Sequence, residues 1–168
     1  MNIQDILTLY DYNYWANSRI VETALDVSQE QFDAPAEFPW GGLRGTLLHI
    51  LDAEWGWRNF FESGKWDTPD LLEADFPSMA ALQGRFRQEE KAMRVYLSTL
   101  RDEDLTTHRL YMVPEGHTRD RILWHCLVHL VNHGTQHRSE AAAILTKLGL
   151  SPGDLDFTMF LNWLSKNK

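Results

Sequence analysis

The run His129-Leu130-Val131-Asn132-His133-Gly134-Thr135-Gln136-His137-Arg138 decides how the rest of the chain is read. It lies in a segment from about Arg119 to Leu148 in which Leu123, Leu127, Leu130, Ala141, Leu145 and Leu148 recur at the spacing of an amphipathic helix. Gly149 and Pro152 stop that helix. His125, His129, His133 and His137 recur every fourth residue. Each step of four advances about 40° around the helix, so the set spirals by about 120° and cannot all face one ion. Measured against the apolar stripe, with Ile122, Cys126 and Ile144 toward one edge, His133 and His137 project inward. His129 lies at the border beside Gln136, and His125 sits nearly opposite with Asn132. Two imidazoles stacked in a core require partners, because each unsatisfied polar group costs roughly 1–3 kcal/mol. A shared metal ion is one partner, and ordinary hydrogen-bonded packing is the alternative.

The same test finds a third inward histidine, in Leu47-Leu48-His49-Ile50-Leu51. His49 shares its helix face with Ala53, Gly56, Trp57 and Phe60, and small residues beside it, like Gly134 beside His133, let helices approach closely. Two imidazoles one turn apart on one helix and one from a facing helix make a three-nitrogen site with open positions, as a catalytic zinc or nickel centre requires. Around this set, Asn17 faces inward on the first helix, and Asp52 and Glu140 border the histidine stripes, where they could orient an imidazole or accept a proton. Arg138 projects about 100° from His137 and reads as a surface salt-bridge partner or an anion contact. Cys126 sits two turns from His133, about 10 Å along the axis, and reads as a buried, inert thiol. His108 and His117 fall in an irregular segment and read as exposed.

Elsewhere the apolar periodicity marks a first helix from Ile3 to Leu25, a second from about Leu43 to Glu62 with Gly64 beyond its end, and a third from the cap Ser78 to about Leu100. Ser28-Gln29-Glu30-Gln31 matches a capping box for a single turn, and Pro35, Pro39, Gly41 and Gly42 punctuate a loop. Thr106 to Thr118, with its Pro114-Glu115-Gly116 turn, reads as a loop or a small hairpin, and Asp156 to Ser165 as a short closing helix. No internal repeat or linker interrupts the 168 residues. The expected fold is all-α: one domain over residues 1–168, an antiparallel four-helix bundle with short additional helical turns.

Composition narrows the function. Sixteen Lys and Arg stand against 24 Asp and Glu, a net charge of −8, which repels phosphate backbones and anionic lipid, so neither nucleic acid nor membrane is an expected partner. A single cysteine excludes an internal disulfide and a thiolate metal cluster. With no signal-peptide pattern at the N-terminus and no apolar run near 18 residues, a cytoplasmic location is expected. The seven Trp could wall an apolar pocket, although aromatic stripes more often build core.

Three segments carry a family likeness: Tyr12-Asn13-Tyr14-Trp15-Ala16-Asn17-Ser18-Arg19, Leu47-Leu48-His49-Ile50, and the run that opens with His129. The chain resembles the DinB/YfiT-like proteins, small metal-binding helical bundles, and the likeness spans nearly its whole length. The resemblance implies a divalent metal, zinc or nickel, held by His49, His133 and His137, a small-molecule substrate and a homodimer. Where members usually carry Gly-Gln after the motif arginine, this chain has Ser139-Glu140. Relatives in the wider superfamily include thiol-dependent transferases and isomerases and metal-dependent hydrolases. The leading expectation is therefore a metal-dependent enzyme that activates a low-molecular-weight thiol for transfer to a small electrophile. The alternatives are hydrolysis by metal-bound hydroxide, a non-enzymatic stress-related bundle that binds metal or ligand, and a metal-free bundle with packed histidines.

Overall fold

The computed structural model describes residues 1–112 and 116–167. Four long helices carry the fold: α1 (Ile3–Ala24), α3 (Leu43–Ser63), α4 (Met79–Ser98) and α5 (Leu123–Lys147). Their limits follow from local chemistry. Asn2 caps α1 reciprocally, its side-chain oxygen accepting from the Asp5 amide at 3.0 Å while its own amide donates to the Asp5 carboxylate at 2.9 Å. Gly64 ends α3 in the left-handed region at φ 72°, its amide returning to the Phe60 carbonyl at 2.8 Å. Ser78 caps α4 through the Ala81 amide. The short α2 (Gln29–Asp33) begins with the expected capping box on Ser28, and α6 (Phe157–Lys166) begins on Asp156.

Helix α5 packs against α1 and α3, and α4 packs against the same two on the other side. Apolar side chains fill the interior in two clusters, one around Tyr10, Leu123 and Leu127 and the other around Leu47, Leu51, Leu82 and Leu145. The architecture is mostly helical. No helix among the described residues is long and apolar enough to cross a membrane.

Two small antiparallel sheets depart from the all-α expectation. Strands β1 (Pro35–Phe38) and β2 (Gly41–Gly42) pair where the sequence suggested a loop, and the turn between them presents Trp40. A Cβ on Gly45 would run into the Trp40 carbonyl, so glycine there is what lets this turn lie on the start of α3. Strands β3 (His108–Met112) and β4 (Thr118–Ile122) pair from His108↔Ile122 to Met112↔Thr118. The small-hairpin reading of this segment is therefore correct, although Pro114 and Glu115 of its turn lie outside the described residues. Helix α5 starts at Leu123 rather than Arg119, because Arg119 to Ile122 are used in the ladder and the Leu123 amide donates to the Thr107 carbonyl at 2.9 Å.

Candidate metal centre

Helix α3 brings His49 opposite His133 and His137 of α5, and one ligating atom from each of the three lies within 4.8 Å of the others. The Nε2 atoms of His49 and His133 are 2.9 Å apart, and the ring centroids of His49 and His137 are 4.6 Å apart. Burial pushes the His49 and His133 rings down to about 4, with neighbouring imidazoles adding to the shift. Both are therefore neutral at physiological pH, with lone pairs available for a cation. His137, 5 % exposed, holds its Nδ1 at 2.8 Å from a Glu140 carboxylate oxygen, which leaves Nε2 as its free nitrogen. Such a carboxylate–imidazole contact fixes tautomer and ring orientation in metal sites. His133 Nδ1 is buried and has no hydrogen-bond partner among the described residues. The donor set fits a divalent ion of zinc or nickel type: three imidazole nitrogens from two helices, with no carboxylate or thiolate joining the cluster among the described residues.

The other expectations divide. Glu140 does orient an imidazole. Asp52 does not: its carboxylate accepts from the Leu71 amide at 2.8 Å, and burial raises its pKa. Cys126 is 2 % exposed, and burial pushes its thiol up, as expected of an inert group. His129 lies beside Trp57 and is exposed, as are His125, His108 and His117.

Arg138 is a correction. The surface reading fails because Arg138 is 2 % exposed and its Nη1 donates to the side-chain oxygens of Asn13 and Asn17 at 2.5 and 2.9 Å. The amide nitrogens of the same two asparagines donate to Glu54 Oε1 at 2.7 and 2.9 Å. Two buried charges on α5 and α3 are thus joined through two neutral side chains of α1, which explains Asn17 without any direct role at the histidines. Burial raises the Glu54 carboxyl, against the pull of the asparagine amides and Arg138. Gly134 also acquires a different purpose: a Cβ there would stand 2.6 Å from Arg138 Nη1 and 3.1 Å from Asn13 Oδ1. Its missing side chain makes room for the guanidinium.

Sequence reasoning missed Glu54 and Trp40. Glu54 continues the Leu47–Leu51 stripe at helical spacing, a signal that was available. Trp40 stacks on His49 with ring centroids 3.5 Å apart and 14° between planes, and it stands edge-on to His137 at 6.3 Å. Nothing local in Pro39-Trp40-Gly41 announces that contact.

The fold and the cluster together define a class, small helical proteins with three histidines on two helices able to hold one metal ion. A model of the DinB family matches residues 1–167, and the chain belongs to that family. It is 22% identical over 157 residues to Protein DinB of Bacillus subtilis (strain 168), with 91% of each chain covered.

Proposed function

We propose that the single domain 1–168, an antiparallel four-helix bundle, holds one zinc or nickel ion on His49, His133 and His137 and is an enzyme that transfers a low-molecular-weight thiol to a small electrophile. The observation that carries this reading is the meeting of three imidazoles from two helices, a three-nitrogen donor set short of a full tetrahedral shell. A divalent ion there supplies Lewis acidity, lowering the pKa of a thiol or water that it binds. The protein's own groups prepare the site. Glu140 keeps His137 in the tautomer that offers Nε2, Trp40 covers one face of His49, and the Asn13, Asn17, Glu54 and Arg138 network fixes α3 against α5.

Thiol transfer is favoured over hydrolysis because the carboxylates beside the cluster are engaged, Glu140 with His137 and Asp52 with the Leu71 amide. Each has one oxygen committed to a structural contact rather than to a water at the cluster. We further assign it a cytoplasmic location and a second copy of itself as partner, the apolar Met159, Leu161 and Trp163 exposed on α6 supporting a dimer. The net charge of −8 supports small molecules over nucleic acid or membrane as its other partners.

Elemental analysis of tag-free protein beside His49→Ala and His133→Ala tests the centre. Near-stoichiometric zinc or nickel, lost in both variants, is expected. Wild-type protein that stays metal-free after dialysis against both ions overturns the reading. A metal-loaded protein inactive across thiol and electrophile panels would remove the transferase and retain the binding site.

A further inference from the structure

Exposure falls along α5 as its histidines approach the cluster: His129 is exposed, His133 half-buried and His137 buried. Residues four apart on a helix stand one above the other. The His129 and His133 rings are accordingly 5.9 Å apart, against 4.5 Å for His133 and His137. His129 lies outside the set whose ligating atoms meet, and it is the next imidazole outward from that set on α5. Trp57 backs it, with ring centroids 5.5 Å apart, and Trp57 packs in turn on the buried Phe60 and Phe61. His125, one turn further out, is engaged elsewhere, its ring 4.1 Å from that of Trp124.

The two ends of the cluster are furnished differently. Trp40 lies flat on His49 and edge-on to His137, whereas His129 meets His133. The turn that carries Trp40 is tied down: a Cβ on Gly42 would run into the Ala34 carbonyl, and Arg44 binds Asp33 at 2.8 Å. A fixed indole therefore obstructs the approach to His49 and His137, while the approach to His133 passes a side chain that can itself hold a metal ion. A divalent cation is strongly hydrated, and moving it to a partly buried site is costly unless protein donors replace the waters it loses.

We infer that His129 is the entry ligand of the centre: together with His133 it takes an incoming divalent cation from water and passes it inward to His49 and His137. The inference rests on the metal centre proposed above. Each imidazole nitrogen that joins the ion displaces one water, and His129 lets go as His49 and His137 bind, so the final donor set stays at three. A ligand used only in passage lowers the barrier equally in both directions, so it sets the rates of uptake and release and leaves the affinity alone. A permanent fourth ligand would instead change the affinity.

Stopped-flow mixing of metal-free protein with Co2+ tests this, read by the visible absorption of the loaded centre, with release followed in EDTA at a concentration where its rate no longer depends on chelator. His129→Ala is expected to slow uptake and release by the same factor, about tenfold, with the dissociation constant and the cobalt spectrum unchanged. His129→Glu, which restores a ligating group, recovers most of both rates, a rescue that a purely structural role for the residue does not predict. His125→Ala, one turn further out, keeps the wild-type rates. Unchanged rates in His129→Ala, a weakened affinity or altered spectrum in that variant, no recovery in His129→Glu, or equal slowing in His125→Ala each overturns the inference and leaves the metal centre standing. Wild-type protein that takes up no cobalt, zinc or nickel overturns both.

Discussion

Arg138 and His137 are adjacent in sequence and serve different faces of α5, one meeting the asparagines of α1 and the other the histidine cluster. Removing one member of a buried charge pair strands the other, so Arg138→Leu is expected to lose about 3–5 kcal/mol in urea unfolding. A double replacement with Glu54→Leu should recover much of that loss, and additive losses would show that the bridged pair does not act as a unit. Gly134→Ala should also destabilise, although alanine is the better helix former, because its methyl would crowd the guanidinium. The cluster has a pH signature of its own. His49 and His133 titrate near 4 in the folded chain against an ordinary value of 6.5. Between those values the unfolded chain binds protons that the folded chain refuses, so their contribution to stability is full above about pH 6.5 and is lost as pH falls toward 4. Thermal melts in chelator should show this decline in the wild type and a shallower one in His133→Gln; identical pH profiles would remove the cluster from the explanation.

At the scale of elements, the long helices were legible because each declares itself locally. The start at Ile3, the cap Ser78 and Gly64 mark ends that the structure reproduces within a residue or two. The β3–β4 hairpin was harder. Arg119 to Ile122 run straight into the apolar stripe of α5, and a mostly exposed ladder carries no strong alternation to oppose a helical reading. The site was legible to the extent that it depends on periodicity within one helix, which gave the inward faces of His49, His133 and His137. It was hidden where two elements must meet: Trp40 reaches His49 only through a turn resting on Gly45, and the burial of Arg138 depends on where α1 docks. Gly45→Ala should therefore lift the Trp40 turn from α3 and alter tryptophan emission, whereas an unchanged spectrum would mean that the stack survives by another route. Ser78→Ala, a cap distant from the cluster, should cost about 1 kcal/mol in urea unfolding and leave metal content unchanged.

The molecule brings three imidazoles together between α3 and α5 while its single thiol is enclosed. Cys126 lies in the apolar cluster with Tyr10, Leu123 and Leu127, and burial disfavours its ionised form. For a protein proposed to work among electrophiles this arrangement is a form of self-protection, since a catalyst with a reactive cysteine would be alkylated by the compounds it processes. Intact-mass measurement after incubation with iodoacetamide should find the native chain unmodified and the urea-unfolded chain carrying one adduct. Such a protein can outlast many turnovers in conditions that disable its thiol-bearing neighbours, and its working lifetime is then set by how rarely the packing around Cys126 opens.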